Sequence, residues 1–289
     1  MSSRFKNVLK KYKDAVVALS FIGVTAVVAL VVYISATLRQ EPPLGPISNE
    51  ELGIVEWTFS EKEAITKLHI STDYSTVHIM TTEEVDEITV FGQQASQQDT
   101  ITAVVEDGVL TVTETESGNG KKDNSYLRIQ LPAGVSLTEI VVESDGGLVS
   151  YAADISLEQF TCKLVSGEFA AEEIRSKQCN ITTEDAGIAI YKSCGEIMIL
   201  QCNTGNVTLK DATITKSMQM SCKSGKVQLE LTGDSKDYGF SMKNTSGIVK
   251  IGKETMKEGC TTYNDYETAE VKIDMECGDG RINILFAKE

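Results

Sequence analysis

The chain has 289 residues, 41% of them hydrophobic but only 6% aromatic, and a formal net charge of −15. That length holds one large domain or two ordinary ones, with enough apolar residues for a sizeable core built from Val, Ile, Leu and Met. The charge is split: Arg4, Lys6, Lys10, Lys11, Lys13 and Arg39 against Asp14 give +5 over residues 1–40, and the remainder carries −20. An acidic body repels phosphate backbones, which argues against a nucleic-acid partner.

Residues 1–14 read as a basic tail. Ala15 to Thr37 is an unbroken run without a charge, and about 20 apolar residues span a bilayer as a helix. The cations concentrate before it, so the positive-inside rule puts the N-terminus in the cytoplasm and the body outside. The alternative is a cleaved signal peptide, with Ser35-Ala36-Thr37 as the small residues, but the apolar run is long for one. No cysteine lies near the segment, which argues against a lipid-modified anchor. Residues 38–53 hold Pro42, Pro43 and Pro46 and read as a semi-extended spacer. The folded part is expected over 54–289. Trp57, the only tryptophan, packs on the end of that domain or touches the membrane interface.

Leu68, Ile70 and Thr72, then Val77 and Ile79, form two short alternations with Ser75 between them. Strand-like runs follow at Ile88–Phe91, Val109–Val112 and Leu127–Leu131. Asp107-Gly108 signals a hairpin turn, and residues 117–124 read as an exposed loop.

From Ile140 to Phe286 a repeat takes over. Gly147, Gly167, Gly187, Gly205, Gly225, Gly247 and Gly280 follow one another at near-regular intervals, only the last of them clearly longer. A period of about 20 residues marks coils that stack on one another. Two and four residues after each glycine stand Val149/Tyr151, Phe169/Ala171, Ala189/Tyr191, Val207/Leu209, Val227/Leu229, Val249/Ile251 and Ile282/Ile284. Seven and five before stand Ile140/Val142, Phe160/Cys162, Met198/Leu200, Met218/Met220, Phe240/Met242 and Ile273/Met275; Cys179, Ile181 and Thr183 fill these places in the Gly187 repeat. Positions two apart share a strand face, so each repeat supplies two strands with one face inward, while Thr208, Gln228, Lys250 and Asn283 face out. The expected architecture is an all-β, single-stranded β-solenoid with coils of about 20 residues behind one transmembrane helix. An antiparallel meander is the alternative, but it has no reason to keep the period.

The run Leu68–Ile79, Leu131-Pro132-Ala133-Gly134-Val135 and the later Ser-Gly-x-Val-x-Leu-type repeats resemble a bacterial family, the putative-adhesin domain of unknown function with β-strand repeats. The resemblance covers about residues 54–286. It implies the repeat fold and a place behind one transmembrane helix, and brings no catalytic residues. The chain departs from the pattern in its seven cysteines and in the insert Lys253–Thr268.

No residue set for catalysis, cofactor or metal emerges. The cysteines, Cys162, Cys179, Cys194, Cys202, Cys222, Cys260 and Cys277, form no CxxC pair. Cys202, Cys222 and Cys277 share one inward column as buried free thiols; a Cys202–Cys222 disulfide is the alternative. So many free thiols in an exported protein suggest a host living without much oxygen. His69 and His78 are expected to face solvent. Asp145, Glu184-Asp185 and Asp279 read as turn carboxylates rather than calcium ligands. Asn180, Asn206 and Asn244 begin glycosylation sequons that matter only in a eukaryotic host. A carbohydrate-cleaving β-helix needs clustered outward carboxylates, whereas Glu143, Lys163, Gln201 and Lys243 are a mixed set. The expectation is a single-pass protein of the cell membrane, meeting the bilayer through Ala15–Thr37 and non-enzymatic. Its exposed domain meets an envelope or extracellular ligand as adhesin or sensor, and its short tail leaves signalling to a membrane partner. Two alternatives stand beside it: a polysaccharide-active enzyme, and a structural element that assembles coil on coil.

Overall fold

A computed structural model describes residues 53–60, 65–94, 100–115, 125–256, 262–264 and 266–287. The expected basic tail, membrane helix and most of the spacer lie outside the described residues, as does Cys260. Among the described residues no helix is long and apolar enough to cross a membrane. They are all-β and solenoid-like, with one short 3-10 helix at Ser235–Asp237.

The repeat closes into parallel, in-register coils. Glu139–Ser144 pairs with the following coil so that Ile140 meets Phe160 and Val142 meets Cys162. Leu148–Ala152 does the same, Val149 meeting Phe169 and Tyr151 meeting Ala171. The offset is the same in both ladders, as a coil of constant length requires. Ser156–Leu231 is extended throughout, and buried residues recur along it at Phe160, Cys179, Met198 and Met218. Ala153, Ile155 and Leu157 bury the third side of their coil. Tyr151 packs ring to ring on Phe160 of the next coil, and Phe160 on Phe169 within one coil, with centroids 5.1 and 5.8 Å apart.

At two of the turns between the inward strands the chain needs a residue without a Cβ. Gly147 and Gly167 have φ of 92° and 93°, and a Cβ on Gly167 would stand 2.0 Å from the Gly147 carbonyl oxygen. Positive φ and backbone contact together leave glycine as the unstrained choice. Ser75 does occupy this column at the N-terminal side, its carbonyl lying beneath Gly147. In one coil the expected register is corrected. The carbonyl beneath Gly205 belongs to Ala186, not Gly187. Ile188 and Ile190 are therefore buried, while Ala189 faces outward and Tyr191 is exposed. A helical coil tolerates a one-residue shift of its turn if the apolar alternation downstream shifts with it.

The coil order is the larger departure from sequence order. The last coil, Val271–Cys277 and Arg281–Phe286, does not stack on Tyr238–Asn244 from outside. It lies between two earlier coils: Met218 and Phe240 both pair with Ile273, and Val227 and Val249 both pair with Ile282. The N-terminal side mirrors this. Leu68 pairs with Leu110 on one flank and Ile140 on the other, and Val77 pairs with Leu127 and Val149. The outermost coils are covered by antiparallel strands. Thr100–Glu106 lies on Val109–Thr115 through the Asp107-Gly108 turn, Ile88–Gln93 on Tyr126–Pro132, and Ile54–Phe59 on Ile88–Gln93. At the other end Thr262–Tyr263 covers part of Tyr238–Asn244, and Glu254–Thr255 covers part of Ile248–Ile251. Trp57 is half-buried in the N-terminal cover, packed against the core.

Candidate functional site

The first strand of each coil alternates buried and outward residues, so its outward side chains form rows running across the coils. At one end of this face Lys163 Nζ meets Glu143 Oε1 at 2.6 Å. Toward the other end the interleaved last coil decides the neighbours. It places Asp274 between Gln219 and Ser241, and Glu276 between Ser221 and Lys243. Lys243 Nζ donates to Glu276 Oε1 at 2.8 Å. That pair is exposed and contributes little to stability, but it removes net charge from the face.

Described residues of the insert that separates this chain from the repeat pattern, Tyr266 among them, form a wall beside these rows. Tyr266 and Ala269 fold over Gly239, where a Cβ would come within 2.6 Å of the Ala269 Cβ. The Tyr266 hydroxyl donates to both Asp274 carboxylate oxygens, at 2.9 and 3.0 Å. The Lys272 ammonium sits 5.3 Å from the Tyr266 ring centroid. Asn264, with φ of 57°, anchors the insert through its side-chain amide, which donates to Ser235 O and Tyr238 O at 2.8 and 2.9 Å. Beside this wall lies a wide, shallow groove of about 320 Å³, reaching from Ile199 and Gln201 across Gln219 and Ser221 to Asp274 and Glu276.

The other sequence candidates fall elsewhere. Cys202, Cys222 and Cys277 are buried in one column, Cys222 directly beside Cys277, and all six described cysteines are free. Cys202 as a thiol donates to Thr204 O at 3.0 Å. As a thiolate it accepts from Cys222, which brings its pKa down. Giving up that hydrogen and being buried push Cys222 up. Burial raises Cys162, and raises Cys179 to about 12. Cys194 is exposed.

His69 is partly exposed, 3.7 Å from Glu139. His78 corrects the expectation. It occupies an outward position but is 5% exposed, with the Tyr126 ring 5.3 Å away, and its Nδ1 has no hydrogen-bond partner among the described residues. Burial, then the positive charge of Arg128, lower it to about 4. Turn carboxylates accept bonds from neighbouring coils: Asp185 from the Thr204 hydroxyl at 2.8 Å, and Asp279 from the Ser246 hydroxyl. Among the described residues no group of three or more His, Cys, Asp or Glu is placed to hold a metal ion.

Sequence reasoning missed Asp274 and Glu276 as members of the outward face. Their alternation with Ile273, Met275 and Cys277 marks both as outward. Only the coil order shows which rows they join.

The described residues form a capped, all-β, solenoid-like stack with an open polar face. The chain is a member of the Toastrack DUF4097 family, which matches over residues 65–190 and 136–285. No curated protein matches it. The similar solved structures include the following three. A protein from Bacteroides fragilis named a putative adhesin shares 11% identity over 80% of this chain and 97% of its own, with a TM-score of 0.48. One of the same name from Parabacteroides merdae shares 12% over 81% and 96%, with a TM-score of 0.45. A protein from Parabacteroides distasonis named a putative lipid binding protein shares 13% over 80% and 96%, also with a TM-score of 0.45.

Proposed function

We propose that this chain is a membrane-anchored, non-enzymatic surface module whose β-solenoid stands outside the cell and binds an envelope or extracellular component, as an adhesin or an envelope sensor. The observation that carries this reading is the outward face at the interleaved end, where a rigid sheet presents amides, hydroxyls and charge-compensated ions in an open groove. Such a face contacts a partner without reorganising. The uncharged run Ala15–Thr37 with its preceding cations supports the anchor and the outward orientation.

Asp274 and Glu276 favour a second reading, a polysaccharide-active enzyme, because they stand side by side on one outward face. Against it, each already holds a partner, Tyr266 and Lys243. Antiparallel covers at both ends of the stack weigh against coil-on-coil assembly. The test uses the full chain. Protease added to intact, wall-stripped cells should remove the β-domain, and the detergent-purified protein should sediment with an isolated envelope fraction without releasing sugar. Protection of the domain refutes the orientation. Sugar release abolished by Glu276→Gln establishes the enzyme.

A further inference from the structure

We infer that the groove beside Tyr266 holds an uncharged, β-linked glycan laid across the strands; this rests on the surface-binding reading and assigns it a ligand class. Sugar hydroxyls both donate and accept, and the groove offers both abilities. The Gln201 and Gln219 amides do each, the carboxylates of Asp274 and Glu276 accept, and Lys243 donates. Ile199, half-buried in the lining, gives the C–H face of a sugar ring an apolar contact amid these polar groups. Specificity through a few placed polar groups over an apolar floor is the general pattern of ligand sites.

Charge narrows the class. Glu276 is neutralised by Lys243, Asp274 carries the Tyr266 hydrogen bond, and the chain as a whole has a net charge of −15. A phosphate- or sulfate-bearing polymer would meet repulsion at long range and one already committed ammonium at short range. An uncharged polymer meets neither.

Geometry points the same way. The groove crosses the adjacent strands of Leu200, Met220, Met275 and Met242. Neighbouring strands lie roughly 4.8 Å apart, comparable to the advance of one sugar along a β-linked chain, so each coil can present its outward row to one sugar. The groove is open, which suits the interior of a polymer. An extended peptide fits less well. Peptides that join a sheet do so at an edge, where backbone groups are free. Here the strand of Met275 is paired on both flanks, so side chains rather than free backbone face the groove.

The experiment titrates the full chain, purified in detergent, with cellohexaose and with N-acetylchitohexaose, following heat and product together. One of the two should bind without being cleaved. Gln219→Ala and Asp274→Asn should each weaken that binding at least fivefold, while Thr208→Ala and Lys226→Ala, on the next outward face, should change it less than twofold. If Gln219→Ala loses the wild-type circular dichroism, Gln201→Ala takes its place. Failure of both hexamers to bind overturns the glycan assignment, as does binding that the groove variants leave unchanged. A cationic extended peptide that binds with this pattern of variant effects, where the glycans do not, reassigns the groove to a protein partner. The parallel sedimentation with envelope separates the two levels. Envelope binding without glycan binding removes this inference alone, and loss of both removes the surface-binding reading too.

Discussion

Removing side-chain atoms from Ile282 tests the coil order directly. Ile282 is 0% exposed and lies between Val227 and Val249, with which it shares register on both flanks. Ile282→Ala deletes three carbons, a transfer loss of roughly 2.4 kcal/mol at about 0.8 kcal/mol each. Because it is enclosed on both sides the site collapses poorly, and the cavity term brings the expected loss to about 3–4 kcal/mol. A terminal residue of a sequentially stacked solenoid would relax outward and lose less. The sharper measurement is a set of double-mutant cycles by urea denaturation, with Val227→Ala and Val249→Ala. Each should couple to Ile282→Ala by about 0.5 kcal/mol or more, as neighbours do. Val227 and Val249 lie two strands, roughly 10 Å, apart and share Ile282 as a partner, so their coupling to each other should be smaller than the coupling of either to Ile282. Far-ultraviolet circular dichroism is the signal, with coincidence of a second probe as the check on two-state behaviour. Coupling between Val227 and Val249 with none to Ile282 would refute the interleaved order.

Gly167→Ala should cost about 3 kcal/mol or more, from positive φ and the Gly147 carbonyl in its path, whereas Gly187→Ala, with only Glu168 Cγ at 3.7 Å, should be close to neutral in the same denaturation assay. Val207→Asp should abolish folding, because Val207 is 1% exposed and the new charge has no partner, while Thr208→Asp should be mild; equal tolerance would put the register off by one residue. Replacing Cys202 and Cys222 together by Ala should cost a few kcal/mol at most, and non-reducing mass analysis of native protein should show no link between them. His78, lowered to about 4 from an ordinary value of 6.5, contributes stability that is complete above about pH 6.5 and lost as pH falls toward 4, on the order of 3 kcal/mol. Glu114, raised by burial, works in the opposite sense. The prediction is therefore read as the difference between wild type and His78→Gln, and a difference that does not change between pH 7 and 4 would contradict it.

What the sequence made legible was everything carried by local alternation. Val207 with Leu209, Met218 with Met220, and the Cys202–Cys222–Cys277 column are all inward as their period of two demands. The coil around Gly187 misled because Ala186 is small enough to serve in the glycine column, and the apolar alternation of Ile188 and Ile190 was masked by reading onward from the glycine. His78 is on the outward side by alternation, but whether an outward residue is covered depends on its neighbours, and Tyr126 comes from a strand distant in sequence. The groove was least legible for the same reason. Asp274 meets Gln219 from far along the chain, a pairing that any order of stacked coils satisfies equally well as a pattern.

The interleaving of both ends also bears on how such a chain changes length over evolution. An ordinary stack of repeats is open-ended, and a duplicated unit can be appended wherever the last coil presents a free edge. Here the first and last coils are each gripped from both sides, so an extra coil appended next to either in sequence would find both of that coil's flanks already paired. Growth is confined to the middle, where the continuous run Ser156–Leu231 already advances coil by coil. A unit duplicated there would lengthen the outward face while leaving both clasped ends, and the groove at one of them, as they are.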